Sequence, residues 1–191
     1  GVIVDTTLGV TEFTFVAFDF ETTGLHPAVD RVVEFGAVRF TVGAELAEFE
    51  ELANPGMSIN ADAARVSGIT NEMVAGKPPV DAVLPRFMEF VGDAILIAHN
   101  AEFDTSFLRA ELQRAGLPTV DNLIIDTQTL AQKAFPGKKS YSLQNLVEML
   151  GIPTNTAHRA RDDARQCMRL FEHCVQAMSF MGDLPLADVL T

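Results

Sequence analysis

The sequence has no run of about 18 apolar residues that could form a membrane-spanning helix, and its first residues lack the basic-then-apolar pattern of a signal peptide. We therefore expect a cytoplasmic protein. The chain has only two cysteines, Cys167 and Cys174, both in one predicted helix. Because they cannot easily form a disulfide with each other, nothing in the sequence requires an oxidising compartment.

Positive charge is also scarce. The chain has 14 Lys and Arg against 26 Asp and Glu, which gives a formal net charge of −12. Such a chain repels polyphosphates at long range, which by itself argues against a nucleic-acid partner. Several basic residues of the later part of the chain could nevertheless receive phosphates: Arg109, Arg114, Lys133, Lys138, Lys139, Arg159, Arg161, Arg165 and Arg169.

The composition, with 48% hydrophobic and 21% charged residues, is typical of a globular protein. We expect a single domain over residues 1–191, with a core at about 13–180 and terminal extensions at 1–12 and 181–191.

Strand and helix patterns alternate along the chain. Aromatic and β-branched residues predict strands at 13–21, 31–42, 45–53, 94–98 and 123–125. Helical patterns are found at 62–66, 81–91, 101–115, 127–134, 142–150 and 159–180. Three sequential strands followed by βα alternation predict an α/β fold with a mixed central sheet flanked by α-helices.

Two acids, Asp19 and Glu21, close the first predicted strand. The strand period of two directs both carboxylates to one face and Phe18 and Phe20 to the other. This arrangement is unfavourable unless a cation lies between the two acids. The alternative is a solvated strand face, which is the commoner case for an isolated Asp-x-Glu.

A third acid, Asp104, falls near the middle of the apolar arc of the helix predicted at 101–115. An ionised carboxylate on a buried face needs a partner or a metal ion. Glu111 lies on the same arc, so the helical spacing alone does not select Asp104. We expect Glu111 to be peripheral because it lies two turns further from the strand end.

The last predicted helix begins with two neighbouring acids. Asp163 lies on the flank of its apolar stripe, whereas Asp162 lies on the polar side with Arg169 and His173. The spacing therefore predicts that Asp163 points inward. Asp162 is expected to be a solvated first-turn residue that the helix dipole favours.

These four acids, with no cluster of cysteine or histidine, favour Mg²⁺ or Mn²⁺ over zinc. Two such ions about 3.5–4 Å apart can stabilise the attacking and leaving oxygens of a phosphodiester. The candidate general base is His158, in the segment before the last helix, since an ordinary histidine pKa of about 6.5 suits this role. The alternative for His158 is an ordinary surface histidine. At His99, which ends a buried strand, a structural hydrogen bond and a substrate contact are both open.

Four segments together resemble the motifs of the DEDDh exonucleases. They are residues 19–25 (Asp-Phe-Glu-Thr-Thr-Gly-Leu), 98–104 (Ala-His-Asn-Ala-Glu-Phe-Asp), 126–127 (Asp-Thr) and 158–164, which begins His-Arg-Ala and ends Asp-Ala. The resemblance extends over residues 15–178 and is strongest to the proofreading epsilon subunit of bacterial DNA polymerase III and the exonuclease domain of PolC.

The resemblance implies a ribonuclease H-like fold and 3′→5′ hydrolysis of DNA ends to nucleoside 5′-monophosphates. It implies that Asp19, Glu21, Asp104 and Asp163 hold two Mg²⁺ or Mn²⁺ ions and that His158 is the general base. Residues that match substrate positions are Thr22, Thr23, Gly24, Leu25, His99, Asn100 and Phe103. Ser67 replaces a histidine of many relatives, which leaves a substrate contact there in doubt.

Two alternatives remain. One is an RNA-trimming exoribonuclease of the same group, because the hydrolysis motifs do not encode the sugar. The other is a non-catalytic accessory of a DNA polymerase or sliding clamp, since residues 176–180 faintly resemble a clamp-binding peptide. In that peptide Ser179 occupies a position that is usually apolar, and a helical polar face explains it more simply.

Overall fold

A computed structural model describes residues 3–154 and 159–190 of the chain. Its strands are β1 (Phe15–Thr22), β2 (Val32–Thr41), β3 (Ala44–Leu52), β4 (Ile95–Ala98) and β5 (Ile124–Asp126). Its helices are α1 (Ala61–Ser67), α2 (Asn71–Ala75), α3 (Val80–Val91), α4 (Ala101–Arg114), α5 (Thr127–Ala134), α6 (Leu143–Leu150) and α7 (Ala160–Met178). In the described part of the chain, no helix has both the length and the apolar character needed to cross a membrane.

The five strands form one sheet in the order β3-β2-β1-β4-β5. The first three strands are antiparallel neighbours, and β4 and β5 add in parallel on the other side of β1. The sheet is therefore mixed, as predicted. Its central strand, β1, ends at the same edge as the parallel strands β4 and β5, which brings the residues after all three strands together.

Alternate residues of β1 serve two separate cores. Phe15 and Ala17 pack with α5, α6 and α7, whereas Val16 and Phe18 pack with α3 and α4 on the opposite face. The sheet is thus covered by helices on both faces, as predicted. Asp19 is next in the row of Phe15 and Ala17, so the strand period directs it to the α7 face.

All the predicted strands and helices are present, with ends shifted by no more than two residues. The short helix α2 was not predicted, because its five residues are too few to show an apolar period. The two terminal segments contact each other: the Val10 amide donates to the Leu184 carbonyl at 2.8 Å. Leu184 and Leu186 are buried with the core on the α7 face.

Candidate metal centre and substrate cavity

Three predicted ligands converge at the end of β1. Carboxylate oxygens of Asp19 and Glu21 and one of Asp163, from the first turn of α7, all lie within 4.8 Å of one another. Asp19 and Glu21 are two residues apart in β1, so both point to the same face of the sheet. Helix α7 packs across β1 and β2 on that face. Residues more than 140 positions apart in the sequence therefore form one cluster.

Asp104 approaches the cluster from α4. Its side chain is buried, and its Oδ1 accepts a hydrogen bond from the Phe20 backbone amide at 3.0 Å. This bond fixes the fourth acid on the stretch of β1 between Asp19 and Glu21. The structure therefore brings all four predicted metal ligands to one end of the strand.

The electrostatics of the cluster disfavour ionisation. Burial, and then the charges of Asp163 and Glu34, raise the pKa of Glu21 to about 9. Burial raises the pKa of Asp104 to about 8, against the lowering effect of the Phe20 amide. Burial, followed by the charge of Asp104, raises the pKa of Asp19 well above its usual range. A bound cation would relieve this repulsion.

The donor set fits a divalent cation. Asp19 Oδ2 is buried and has no hydrogen-bond partner within residues 3–154 and 159–190. A buried carboxylate oxygen without a donor is costly unless a cation binds it. Hard oxygen ligands are those that Mg²⁺ and Mn²⁺ prefer. The cluster can therefore hold a metal ion.

A cavity of about 530 Å³ opens beside the acids. It is lined by Asp19, Glu21 and Asp104 and by six of the seven predicted substrate residues, namely Thr22, Gly24, Leu25, His99, Asn100 and Phe103. Leu25 is 73% exposed, so its side chain is available to a ligand. The cavity thus joins the predicted metal ligands to an apolar surface.

The seventh predicted substrate residue, Thr23, lies away from the cavity and is fully buried. Its hydroxyl donates to Asp30 Oδ1 at 2.9 Å and accepts from the Arg31 amide at 3.0 Å. Asp30 also packs against Gly24, where a Cβ would overlap its carboxylate. Thr23 therefore holds the turn that carries Gly24 and Leu25.

One wall of the cavity was missed by the sequence reasoning. Asn60, Asp62, Ala63 and Val66 line it from α1 and the residue before it. The signal available was the apolar Val66, which is 58% exposed on a short polar helix. A single exposed apolar residue is common on protein surfaces, so this signal was weak.

His99 uses both ring nitrogens inside the protein. Nε2 lies 2.7 Å from the Tyr141 carbonyl oxygen and therefore carries the proton, while Nδ1 lies 2.8 Å from Thr127 Oγ1 and accepts. Burial lowers the pKa of the ring, which favours the neutral form. Of the two roles left open, the structure provides a structural hydrogen bond, with the ring also lining the cavity.

Asn100 follows His99 in a left-handed conformation, with φ of +57°. Among the described residues it is the only non-glycine with positive φ. Its amide donates to Asp126 Oδ1 at 3.1 Å, and the same oxygen caps α5 through the Gln128 amide. Strained backbone of this kind is concentrated at functional sites.

Asp162 is not the solvated residue that was predicted. Its side chain is only 13% exposed, 3.8 Å from Arg161 Nε and 3.9 Å from Arg165 Nη1. The helical period correctly separates Asp162 from the apolar stripe, but it cannot show that arginines and the nearby strand β3 cover this side of α7. Asp163 and Asp162 still lie on different sides of the helix.

Two basic residues of α7, Arg161 and Arg165, are paired with acids of the sheet and are not free to receive phosphates. Arg161 pairs with Glu48 and Glu50 of β3, and Arg165 pairs with Glu45 and Glu48 of the same strand. The expectation of a phosphate-binding stretch is therefore wrong for these two arginines. Their acidic partners lie more than 100 residues away in the sequence, which no local pattern reveals.

Three further expectations have different outcomes. His158 lies outside the described residues, so its role stays a prediction. Glu111 lies outside the acidic cluster and binds Arg31 Nε at 2.8 Å. Ser67 is buried, and its hydroxyl donates to Ala63 and accepts from Ile69 within the end of α1. The Ser67 hydroxyl is therefore not available to a substrate phosphate.

The segment that resembled a clamp-binding peptide is largely helical. Residues 176–178 end α7, and Ser179 Oγ donates back to the Val175 carbonyl at 2.6 Å. Ser179 is therefore the C-cap residue of α7, which accounts for a polar side chain at this position.

Comparison with known proteins places the chain in a family. The Exonuclease family model matches residues 16–171. The chain is 42% identical over 159 residues to DNA polymerase III subunit epsilon of Treponema pallidum, covering 82% of this chain and 74% of that protein. It is 40% identical over 185 residues to the PolC-type DNA polymerase III of Thermotoga maritima, covering 97% of this chain but only 13% of that protein.

A solved structure shares the architecture. Exonuclease X in complex with 5′ overhanging duplex DNA superimposes with a TM-score of 0.72 and 27% sequence identity, covering 93% of this chain and 99% of that chain. The predicted ribonuclease H-like fold and the predicted exonuclease activity are confirmed. This chain belongs to the exonuclease family.

Proposed function

We propose that the chain removes nucleotides one at a time from the 3′ end of single-stranded or frayed DNA, releasing nucleoside 5′-monophosphates. The observation that carries this proposal is the cluster of Asp19, Glu21 and Asp163, with carboxylate oxygens within 4.8 Å, next to a cavity of about 530 Å³. An exonuclease needs both features side by side, since the scissile phosphate must meet the metal site while the terminal base is held.

The four acids would hold two Mg²⁺ or Mn²⁺ ions. Asp19 is central, because the charges of Asp104, Glu21 and Asp163 all act on it. One ion would lie among Asp19, Glu21 and Asp163, and the second between Asp19 and Asp104. When bound, such ions lower the pKa of the attacking water and neutralise charge that develops on the leaving oxygen.

The cavity wall would hold the 3′ end of the DNA strand. Leu25, Val66 and Phe103 present apolar surface on which base faces can stack, and stacking tolerates any base sequence. Asn100, whose backbone amide donates a hydrogen bond to Asp126 Oδ1, would direct its side chain to the sugar or phosphate. These contacts account for binding without sequence preference.

His158 would accept the proton of the attacking water. It stands directly before Arg159, which is the N-cap residue of α7. A neutral imidazole near pH 7 is suited to this role.

Lys138 and Lys139 would bind the backbone phosphates of the incoming DNA strand. Both are exposed, and neither forms an ion pair within the described part of the chain. Their loop is tied to the cavity, because the Tyr141 carbonyl accepts from His99 and the Tyr141 hydroxyl accepts from the Lys138 amide. Unlike Arg161 and Arg165 of α7, these two cations remain available for phosphate.

The relatives support DNA over RNA and suggest a polymerase partner. One is named DNA polymerase III subunit epsilon, another is named as a PolC-type DNA polymerase III, and the similar solved structure is a complex with duplex DNA. We propose proofreading or repair of DNA ends, in association with a DNA polymerase. The cytoplasmic location expected from the sequence stays a prediction.

The test is digestion of DNA labelled at either end. With Mg²⁺, a 5′-labelled single strand should shorten in steps of one nucleotide, while a 3′-labelled strand should release labelled mononucleotide at once. EDTA should stop both reactions. Release of labelled mononucleotide first from the 5′ end would contradict the proposed polarity.

The same assay on mismatched duplex DNA and on RNA identifies the substrate. We expect single-stranded and mismatched DNA to be digested faster than RNA of the same sequence. Faster digestion of RNA would instead identify an exoribonuclease of the same family.

A further inference from the structure

A buried acid that is not one of the four proposed metal ligands lies beside them. Glu34 of β2 is fully buried, and it is the direct cross-strand partner of Glu21 in the antiparallel pair of β1 and β2. Directly opposed residues of such a pair point to the same face of the sheet. Two carboxylates side by side in a buried position repel each other, so Glu34 requires a cationic partner.

That partner is Arg159, at the start of α7. Arg159 Nη2 lies 2.5 Å from Glu34 Oε2, and its Nε lies 3.1 Å from Oε1. The two groups form the bidentate geometry that only a guanidinium provides. The charge of Arg159 also acts on Glu21, whose pKa it lowers.

Glu34 has a second contact with the same helix. Its Oε1 accepts the Ala160 backbone amide at 2.9 Å, and no side chain of α7 itself caps this end. Glu34 thus caps α7 from the neighbouring sheet, where the positive end of the helix dipole favours a negative charge. The buried acid therefore binds both the N-cap side chain and the first amide of the helix.

Gly36 sets how closely the helix approaches the sheet. It is the cross-strand partner of Asp19, and a Cβ at this position would overlap the backbone of Ala160 and Arg161. The start of α7 therefore rests directly on the backbone of β2. One turn along, the Asp163 amide donates to the Arg159 carbonyl at 3.0 Å, so the placement of Arg159 is transmitted to the metal ligand.

We propose that Glu34 and Arg159 are positioning residues of the metal centre. With the close approach at Gly36, they set the height and register of α7, so that Asp163 reaches the cation site of Asp19 and Glu21. The inference rests on the proposed function, in which these three acids hold a divalent cation. It assigns Glu34 no contact with a cation or with DNA.

The test compares Arg159→Lys with Arg165→Lys in the full chain. Both arginines pair with acids of the sheet, but Arg159 is the N-cap residue of α7, whereas Arg165 lies within the helix beyond the metal ligand and binds β3. Lysine keeps the charge and loses the bidentate contact. The dissociation constant of Mn²⁺ is measured by electron paramagnetic resonance, and kcat and KM are measured on a short single strand of DNA.

We expect Arg159→Lys to weaken Mn²⁺ binding and to lower kcat, each by about 10- to 100-fold, as replacement of groups that orient metal ligands does elsewhere. The KM for DNA should stay within about twofold of wild type, because the cavity wall is untouched. Arg165→Lys should match wild type in all three quantities. Gly36→Ala, which moves the helix without changing charge, should reproduce the effect of Arg159→Lys.

The inference is overturned if Arg159→Lys binds Mn²⁺ with wild-type affinity. It is also overturned if Arg159→Lys and Arg165→Lys weaken binding equally, since the cause would then be general loosening of α7. If wild type binds Mn²⁺ but does not digest DNA, the proposed function fails. The metal affinities of the variants still test the positioning role in that case.

Discussion

The molecule has two kinds of buried acid. Glu34 and Glu111 are fully buried, and each binds an arginine and a backbone amide of a neighbouring element. Asp104 is also buried, and Asp19 is half-buried with its Oδ2 atom enclosed, but neither forms an ion pair within the described part of the chain. The first kind joins helices to the sheet, whereas the second lacks a protein cation and therefore indicates a bound one.

The largest expected effect is the loss of turnover when a metal ligand is removed, and it should distinguish Asp163 from its neighbour Asp162. Asp19→Ala and Asp163→Ala should each lower kcat by about a thousandfold or more, because loss of a metal ligand removes several kcal/mol of transition-state stabilisation. Asp162→Ala should retain nearly full turnover, measured on single-stranded DNA with Mg²⁺. Equal losses in the Asp162 and Asp163 variants would contradict the assignment of sides on α7.

An acid of the first kind should behave in the opposite way. Glu111→Gln should lower the free energy of unfolding by roughly 2–4 kcal/mol, since it weakens a buried contact that joins α4 to Arg31 and to the Val32 amide. The kcat of the folded protein should change little. Urea denaturation and kinetics below the transition measure the two effects. A large loss of kcat with unchanged stability would place Glu111 in the active site.

The pH dependence of stability should sharpen the same contrast. Because the pKa of Glu21 is raised to about 9 and that of Asp104 to about 8, the folded metal-free chain keeps protons that the unfolded chain has released. This stabilisation is complete below the ordinary carboxyl values and is lost as the pH rises through 8 to 9. The unfolding temperature in EDTA should therefore fall between pH 6 and pH 9.

Mg²⁺ should reverse this fall, because it binds the ionised carboxylates and favours the folded state. The difference in unfolding temperature between Mg²⁺ and EDTA should widen as the pH rises. Asp104→Asn serves as the control, since it removes one of the raised groups and should reduce the fall in EDTA. An unfolding temperature in EDTA that stays constant over this range would contradict the pKa assignment.

The smallest expected effect concerns the exposed lysines. Replacement of both Lys138 and Lys139 by Ala should raise KM several-fold and reduce the slope of log KM against log salt concentration by about 1–2. The kcat should be unchanged because both side chains lie outside the acidic cluster. Arg161→Ala is the matched control, since its charge is already paired with β3. A larger rise in KM for Arg161→Ala would show that the DNA strand approaches the site along α7 and not along the lysines.

That the four acids come together could be predicted from the sequence for a physical reason. The periods of strand and helix place Asp19, Glu21, Asp104 and Asp163 on faces that are otherwise apolar, and burial of charge there requires an explanation. These periods are local properties of the chain. They therefore also gave the order of strands and helices, with errors of one or two residues at the ends.

The parts that were missed depend on contacts between distant segments. The pairing of Arg165 with Glu45 joins residues 120 positions apart, and that of Arg159 with Glu34 joins residues 125 positions apart. Neither pairing leaves a periodic signal. The same is true of the α1 wall of the cavity and of the cover over Asp162, which only the packed structure shows.

The central claim is that Asp19, Glu21, Asp104 and Asp163 hold two divalent cations, and counting bound Mn²⁺ by electron paramagnetic resonance tests it most directly. The account predicts about two ions per wild-type chain, about one for Asp104→Asn and none for Asp19→Asn, since Asp19 is shared between both sites. A wild-type chain that binds no Mn²⁺, or an Asp19→Asn variant that binds as many ions as wild type, would contradict it.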